Sequence, residues 1–231
     1  MKIILNYEIA SVFERCTSLE VLPLKPYKRL SAPVSAHADM LICVIGNRAF
    51  SYVDYIEENK EIFDCLEKSG YEIVKCAPPT SPNYPNDIGL NVAVVGKRLF
   101  CNVKSTAEEI KSYAREKGYE LVDVKQGYAA CTTLILDEYN VITGDPSIKK
   151  AMESKGINVL FIKEESILLH GYNQGFIGGA SLVANGTVYF FGDAEELKEY
   201  KKISALISSL KMKIFSISSG EVVDFGGGKL I

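Results

Sequence analysis

Apolar residues fall along this chain in short alternating runs broken by tight-turn residues, then at spacings of three and four, then again in a short run. Alternation reads as a half-buried strand and the longer spacing as an amphipathic helix, so the pattern predicts strand, turn, strand, helix, strand. It recurs four times in full. The first copy runs from "HADMLICVIGNRAFSYV" through "DYIEENKEIFDCLEKSG" to "YEIVKC", and the second from "NDIGLNVAVVGKRLFCNV" through "STAEEIKSYAREKG" to "YELVDV". The third is "ACTTLILDEYNVIT", "GDPSIKKAMESKG" and "INVLFI"; the fourth is "GGASLVANGTVYFF", "GDAEELKEYKKISALISSLKM" and "KIFSIS".

Local signals agree with this division. Gly46-Asn47, Gly96-Lys97 and Asn185-Gly186 sit where a two-residue hairpin turn needs positive φ. Ser105 with Glu108 and Asp193 with Glu196 have capping-box spacing, and Asp145 before Pro146 reads as an N-cap followed by proline in the first turn. Gly70, Gly118 and Gly156 fall where a helix ends in a left-handed residue. In the fourth helix Leu197, Tyr200, Ile203, Ile207 and Leu210 form one apolar face.

A fifth copy is divided between the chain ends. "SSGEVVDFGGGKLI" supplies a loop and one strand, and the N-terminus supplies the partner strand "MKIILN", a helix in "EIASVFERCTSL" and the third strand "EVLPLK". Five units of about 45 residues fill the chain, and a ring closed by pairing its termini leaves no open sheet edge. The expected fold is therefore an α/β five-bladed propeller of ββαβ units with pseudo-fivefold symmetry, one domain over residues 1–231. A doubly wound parallel sheet would also alternate strands and helices, but it expects one strand per helix rather than a hairpin before each.

Composition narrows the class of partner. The chain is 47% hydrophobic and 24% charged with a net charge of −3, which gives no general attraction to nucleic acid or to anionic lipid. No stretch approaches the roughly 18 apolar residues of a membrane span, and the N-terminus lacks the pattern of a cleaved leader; the expectation is a cytoplasmic protein. Six cysteines, Cys16, Cys43, Cys65, Cys76, Cys101 and Cys131, are widely spaced without a CxxC pair, as free thiols would be.

Chemistry-bearing residues gather in the loops that enter the hairpins. "SAHADMLICVIGN" carries His37 and Asp39, "YAACTTL" carries Cys131 two units later, and "VVDFGGGKL" carries Asp224 before Gly226, Gly227 and Gly228 one unit earlier in the ring. Pattern and motifs together resemble the penteins, the guanidino-group modifying superfamily of arginine and agmatine deiminases, dimethylarginine hydrolase, amidinotransferases and a non-catalytic ribosome-subunit anti-association factor. The resemblance covers the whole chain as a pattern and rests on these short matches as a motif. It implies a nucleophilic cysteine at Cys131, a catalytic His-x-Asp at His37 and Asp39, and a carboxylate at Asp224. The cyclic order matches that of the family's enzymes, whereas the linear order, with the cysteine in mid-chain, is that of a circular permutation. Family enzymes also carry an aspartate in the unit after the cysteine, where this sequence has Gly178 and Gly179.

The residues support the same chemistry on their own terms. A guanidinium or amidine carbon is a poor electrophile, and attack on it calls for a thiolate, activated by a neighbouring base or cation. His37 would serve as general base and acid, Asp39 and Asp224 would accept hydrogen bonds from a planar cation or orient the imidazole, and Gly226 and Gly227 would let substrate lie against backbone. Asp87, which occupies in its loop the place of His37, is a further candidate for substrate binding. His170, before the fourth hairpin, is the alternative partner for Cys131, and Glu221 is a secondary candidate beside Asp224. Each also has a plain structural use: Cys131 as a packed hydrophobe, Asp224 as a turn stabiliser, His37 as an ordinary loop residue. No third and fourth ligand at recognisable spacing accompanies His37 and Asp39, so a metal is not expected.

Two functional classes follow. One is a thiol-dependent hydrolase of a C–N bond in a guanidine, amidine or related amide, with a small cationic or amide-containing substrate and no cofactor; on this reading Cys131 is the thiol alkylated fastest below about pH 8. The other is a non-catalytic scaffold that binds a protein or ribosomal surface. Convergence of Cys131, His37 and Asp224 in one pocket would favour the first, and their dispersal the second.

Overall fold

Every predicted hairpin forms, and each is extended by a parallel third strand. The computed structural model describes residues 2–163 and 165–231. Its strands are β1 (Lys2–Asn6), β2 (Glu20–Leu24), β3 (Cys43–Ile45), β4 (Arg48–Tyr52), β5 (Glu72–Cys76), β6 (Ala93–Val95), β7 (Arg98–Cys101), β8 (Glu120–Asp123), β9 (Thr133–Ile135), β10 (Asn140–Thr143), β11 (Asn158–Phe161), β12 (Ser181–Ala184), β13 (Thr187–Phe190), β14 (Lys213–Ser216) and β15 (Gly228–Leu230). They form five three-stranded sheets, β3-β4-β5, β6-β7-β8, β9-β10-β11, β12-β13-β14 and β15-β1-β2. In each, the hairpin pair is antiparallel and the crossover pair parallel. The fifth sheet joins the chain ends, with Ile3 opposite Leu230 and Leu5 opposite Gly228.

The turn chemistry is that of the sequence. Gly46 and Gly96 adopt φ of 60° and 57°, and Asn185-Gly186 takes 50° and 68°, values that right-twisted hairpins require and that glycine and asparagine tolerate. In four of the sheets the middle strand is buried along almost its whole length, whereas the outer parallel strand of several units opens with an exposed glutamate or lysine. Charge on such an edge discourages pairing with other chains. Three units repeat one cross-strand ion pair at one register position: Lys2 with Glu20 at 2.6 Å, Arg48 with Glu72 at 2.8 Å and Arg98 with Glu120 at 3.6 Å.

The helices are α1 (Tyr7–Cys16), α2 (Ala38–Leu41), α3 (Val53–Glu58), α4 (Lys60–Lys68), α5 (Glu108–Lys117), α6 (Pro146–Glu153) and α7 (Tyr200–Ser209). Three details correct the sequence reading. The single helix expected over 54–70 is two, broken at Asn59, whose buried side chain donates to the Tyr55 carbonyl at 2.9 Å. Ser105 caps nothing: α5 begins after Ala107, whose N–H donates to the Gly89 carbonyl at 2.9 Å, while Thr106 and Ser105 turn back onto Asn102. Asp193 caps a 3-10 turn over Ala194–Glu196, and α7 starts four residues later.

Asp145 does cap α6, accepting from Ser147 N at 2.8 Å and Ile148 N at 2.9 Å. Asp145→Ala is expected to lower the free energy of unfolding by about 1 kcal/mol, read as a fall in the denaturation midpoint with unchanged slope.

Apolar side chains fill the space between sheets and helices, the largest group gathering Phe50, Tyr52, Tyr55 and Leu66 with Leu99 and Ile110 of the next unit. At the middle, a cavity of ≈ 260 Å³ is lined by one hairpin strand from every sheet, namely β3, β6, β9, β12 and β15. The loops leading into these strands therefore converge, and the site is built there.

Candidate active site

Each candidate side chain is held by the turn just before its hairpin. His37 precedes the single turn of α2, its carbonyl accepting from Met40 N and Leu41 N at 3.1 Å, and Asp39 lies within that turn. Cys131 sits in a tight turn closed by Thr132 N to Tyr128 O at 3.0 Å and Thr133 N to Ala130 O at 3.2 Å. Asp224 enters from the loop before β15, and its carboxylate accepts from Phe176 N and Gly226 N, both at 2.9 Å.

All four are nearly inaccessible: His37 and Asp224 are 2% exposed, Asp39 and Cys131 4%. His37 Nδ1 lies 3.8 Å from Asp224 Oδ1 and 4.0 Å from Asp39 Oδ1. His37, Cys131 and Asp224 line one cavity of ≈ 110 Å³, with Val34, Met40 and Leu169 and the aromatic side chains Tyr128, Tyr172 and Phe176.

Asn91 is the residue that sequence reasoning missed. Its Nδ2 donates to Cys131 Sγ at 2.9 Å and to the Asp39 carbonyl at 3.2 Å, while its Oδ1 accepts from Ala130 N at 2.7 Å. One amide thus ties the cysteine turn to α2. A signal for it exists: Asn91 stands two residues before Ala93, which pairs with Phe100, as Cys131 stands two before Thr133, which pairs with Thr143. It is the polar residue in the otherwise apolar run "IGLNVAVV", at the position that carries the thiol in the next unit.

Burial drives every ionisable group here towards its neutral form. The His37 imidazole is pushed down to about 4 by desolvation, so it is an uncharged base at neutral pH. Burial raises Asp39 and Asp224, and the Asp39 charge raises Asp224 further. The Cys131 thiol is pushed well above the usual thiol range, first by burial and then by the two carboxylates, with Asn91 opposing them. This corrects the expectation of fast alkylation: a neutral reagent meets a buried, protonated Cys131 and an exposed Cys16. Both oxygens of Asp39 and the Nδ1 of His37 lack a hydrogen-bond partner among the described residues. Two buried carboxyl groups therefore face one neutral imidazole.

The other candidates lie elsewhere. Asp87 is buried behind the cavity, where its Oδ2 accepts from Tyr128 O–H at 2.8 Å. Gly226 packs its bare Cα against His37, and Asp39, Gly226 and Gly227 line the central cavity rather than the smaller one. His170 and Glu221 are exposed and do not line the cavity. Gly178 and Gly179, read as a missing anchor, have a steric reason: a Cβ on Gly179 would overlap the Asp224 carboxylate, and one on Gly178 the Ala130 and Cys131 carbonyls. Among the described residues no group of three or more His, Cys, Asp or Glu side chains could hold a metal ion, and no helix is long and apolar enough to cross a membrane.

Residues 5–228 match the family of unknown function DUF6873. The chain belongs to that family. No curated protein matches this DUF6873 chain. Among solved structures it is similar to a dimethylarginine dimethylaminohydrolase (DDAH) from Pseudomonas aeruginosa, a cysteine-to-serine mutant complexed with citrulline, at 13% identity and a TM-score of 0.56 over 97% of this chain and 87% of that one. It is similar to an amidinotransferase from Microseira wollei at 12% identity and a TM-score of 0.60, over 91% of this chain and 73% of that one. An agmatine deiminase of C. jejuni matches at 11% identity and a TM-score of 0.54, over 93% and 74%. The DUF6873 chain therefore has the fold of the pentein superfamily.

Proposed function

We propose that this chain is a cysteine-dependent hydrolase of a C–N bond in a guanidine, amidine or related amide, built on a closed five-bladed ring forming one domain. The observation that carries the proposal is the single cavity lined by Cys131, His37 and Asp224, with the Asp39 carboxylate acting on both the thiol and the imidazole. Ring closure is supported by the pairing of β1 with β15 and by the five hairpin strands around one central cavity. A scaffold would have no use for a buried carboxylate, an imidazole with an unpartnered Nδ1 and a thiol in one small apolar pocket, with a second buried carboxylate 4.0 Å from that Nδ1.

The electrostatics give the order of events. A planar cation entering the cavity beside Asp224 offsets the carboxylate charges that hold the Cys131 proton, so the thiol becomes more acidic when substrate is bound. The proton passes to neutral His37, and the thiolate bonds to the substrate carbon. The C–N bond to the leaving nitrogen breaks as His37 returns the proton to it. Water then adds to the sulfur-bound carbon with His37 as base, the C–S bond breaks and the thiol is restored. A guanidinium and water become a urea and an ammonium ion; the chemistry calls for neither a metal nor an organic cofactor.

The test is release of ammonia or amine from a panel of guanidines and amidines. The carboxylates must be anionic to take the cation and burial has raised their pKa values, so kcat/KM is expected to climb as pH rises above the ordinary carboxylate range. Release of nitrogen from no member of the panel would refute the hydrolase. A profile flat from about pH 5 to about pH 8 would refute the part given to Asp39 and Asp224.

A further inference from the structure

Around its reacting groups the cavity wall consists of Val34, Met40, Leu169, Tyr128, Tyr172 and Phe176, with Gln174 as one more polar side chain. None of the lining residues is an arginine or a lysine. A guanidine that is also an amino acid carries a carboxylate a few bonds from its reacting carbon. That carboxylate would be stripped of water without a partner, and would be repelled by Asp39 and Asp224 besides.

Size argues the same way. At ≈ 110 Å³ the cavity is far below the roughly 300–1,000 Å³ typical of pockets for larger ligands. It is also smaller than the neighbouring cavities of ≈ 260 and ≈ 330 Å³, which suits a compact head group. On the wall formed by Tyr172, the half-exposed Tyr172 hydroxyl lies 3.0 Å from Ser31 Oγ.

The walls also suit a cation with a short apolar end. Tyr128 and Phe176 are stacked with ring centroids 6.4 Å apart, and the Tyr128 hydroxyl is taken by Asp87, which fixes its ring. Aromatic faces attract cations and accept alkyl groups equally well. A neighbouring cavity of ≈ 330 Å³ shares Gln174 and Phe176 and carries Lys163, Glu165 and Asp145. A longer substrate would reach Lys163 only by displacing Gln174 or Phe176.

Resting on the reading of Cys131 as nucleophile, we infer that the site takes a small carboxylate-free cation, an unsubstituted or short-alkyl guanidine or amidine, and excludes amino-acid guanidines. The head group sits against Asp224, His37 and Cys131, and the alkyl end against Leu169, Tyr172 and Phe176.

Chloroacetamidine tests both layers, since attack by the Cys131 sulfur forms a C–S bond and expels chloride. Labelling is followed by peptide mass spectrometry on the wild-type chain, alone and with methylguanidine or arginine at equal concentration. The expected result is labelling at Cys131 that methylguanidine slows about tenfold or more and arginine less than about twofold. Labelling of Cys131 that arginine slows as well as methylguanidine does, or that neither slows, overturns the substrate class and leaves Cys131 as nucleophile. Labelling of Cys16 with none at Cys131 overturns the nucleophile and the substrate class with it.

Discussion

Cys131→Ser is expected to abolish turnover of every guanidine or amidine that the wild-type chain hydrolyses, a loss of about 10⁴-fold or more in kcat. Serine keeps the shape of the turn, and Asn91 Nδ2, which now donates to Sγ at 2.9 Å, can donate to the hydroxyl oxygen instead. Stability should therefore shift by no more than about 1 kcal/mol, and the lost activity cannot be charged to unfolding. What disappears is the acidity. A thiol already held protonated by burial and by two carboxylates can still be ionised when a cation arrives, because its intrinsic pKa is near 8.5; a hydroxyl has no such reserve. Measuring nitrogen release and the denaturation midpoint on one preparation separates the two effects. A serine variant retaining more than about a tenth of wild-type activity would remove Cys131 from the mechanism.

The repeat was legible because each unit writes its turns in residues with few other uses. Asn185 and Gly186, or Gly46 and Gly96, are needed for positive φ, and the apolar runs beside them alternate as hairpins do. Helix boundaries were harder, since long-range contacts decide them. "STAEE" has capping-box spacing, but Ala107 is drawn to the Gly89 carbonyl and Thr106 to Asn102, so the helix begins two residues late. Asn59 looked like any polar helical residue, yet its buried side chain takes the Tyr55 carbonyl and the helix breaks.

At the site, His37, Asp39, Cys131 and Asp224 could be picked out because the repeat assigns each to a loop entering a hairpin. The residues around them could not. Tyr128, Tyr172 and Phe176 lie in irregular loops whose course no periodicity gives, and Asn91 was hidden by the apolar strand it opens. His170 shows the opposite error: position in the repeat places a residue in a loop before a hairpin without deciding on which side of the loop its side chain emerges, and this one is exposed.

Gly179→Ala should be a damaging single methyl addition in the site. Its Cβ would occupy the space of the Asp224 carboxylate, and neither partner is free to yield. Asp224 is fastened by Phe176 N and Gly226 N at 2.9 Å each. Gly179 is fastened by its N–H to the Cys131 carbonyl at 3.0 Å and by its own carbonyl, which accepts from Gly227 N at 2.7 Å and Phe225 N at 3.1 Å. Either the carboxylate leaves its two donors or the turn pulls away from Cys131, so the expected cost is about 3 kcal/mol in stability together with a loss of about 10²-fold in kcat/KM from misplaced groups. Gly70→Ala is the control. There φ is 90° and no atom lies within 4 Å of the added carbon, so the cost is backbone strain of about 1 kcal/mol and activity should be untouched. If the two variants unfold at the same denaturant concentration and turn over substrate equally, Gly179 is not where Asp224 is held, and the carboxylate's place beside His37 loses its structural reason.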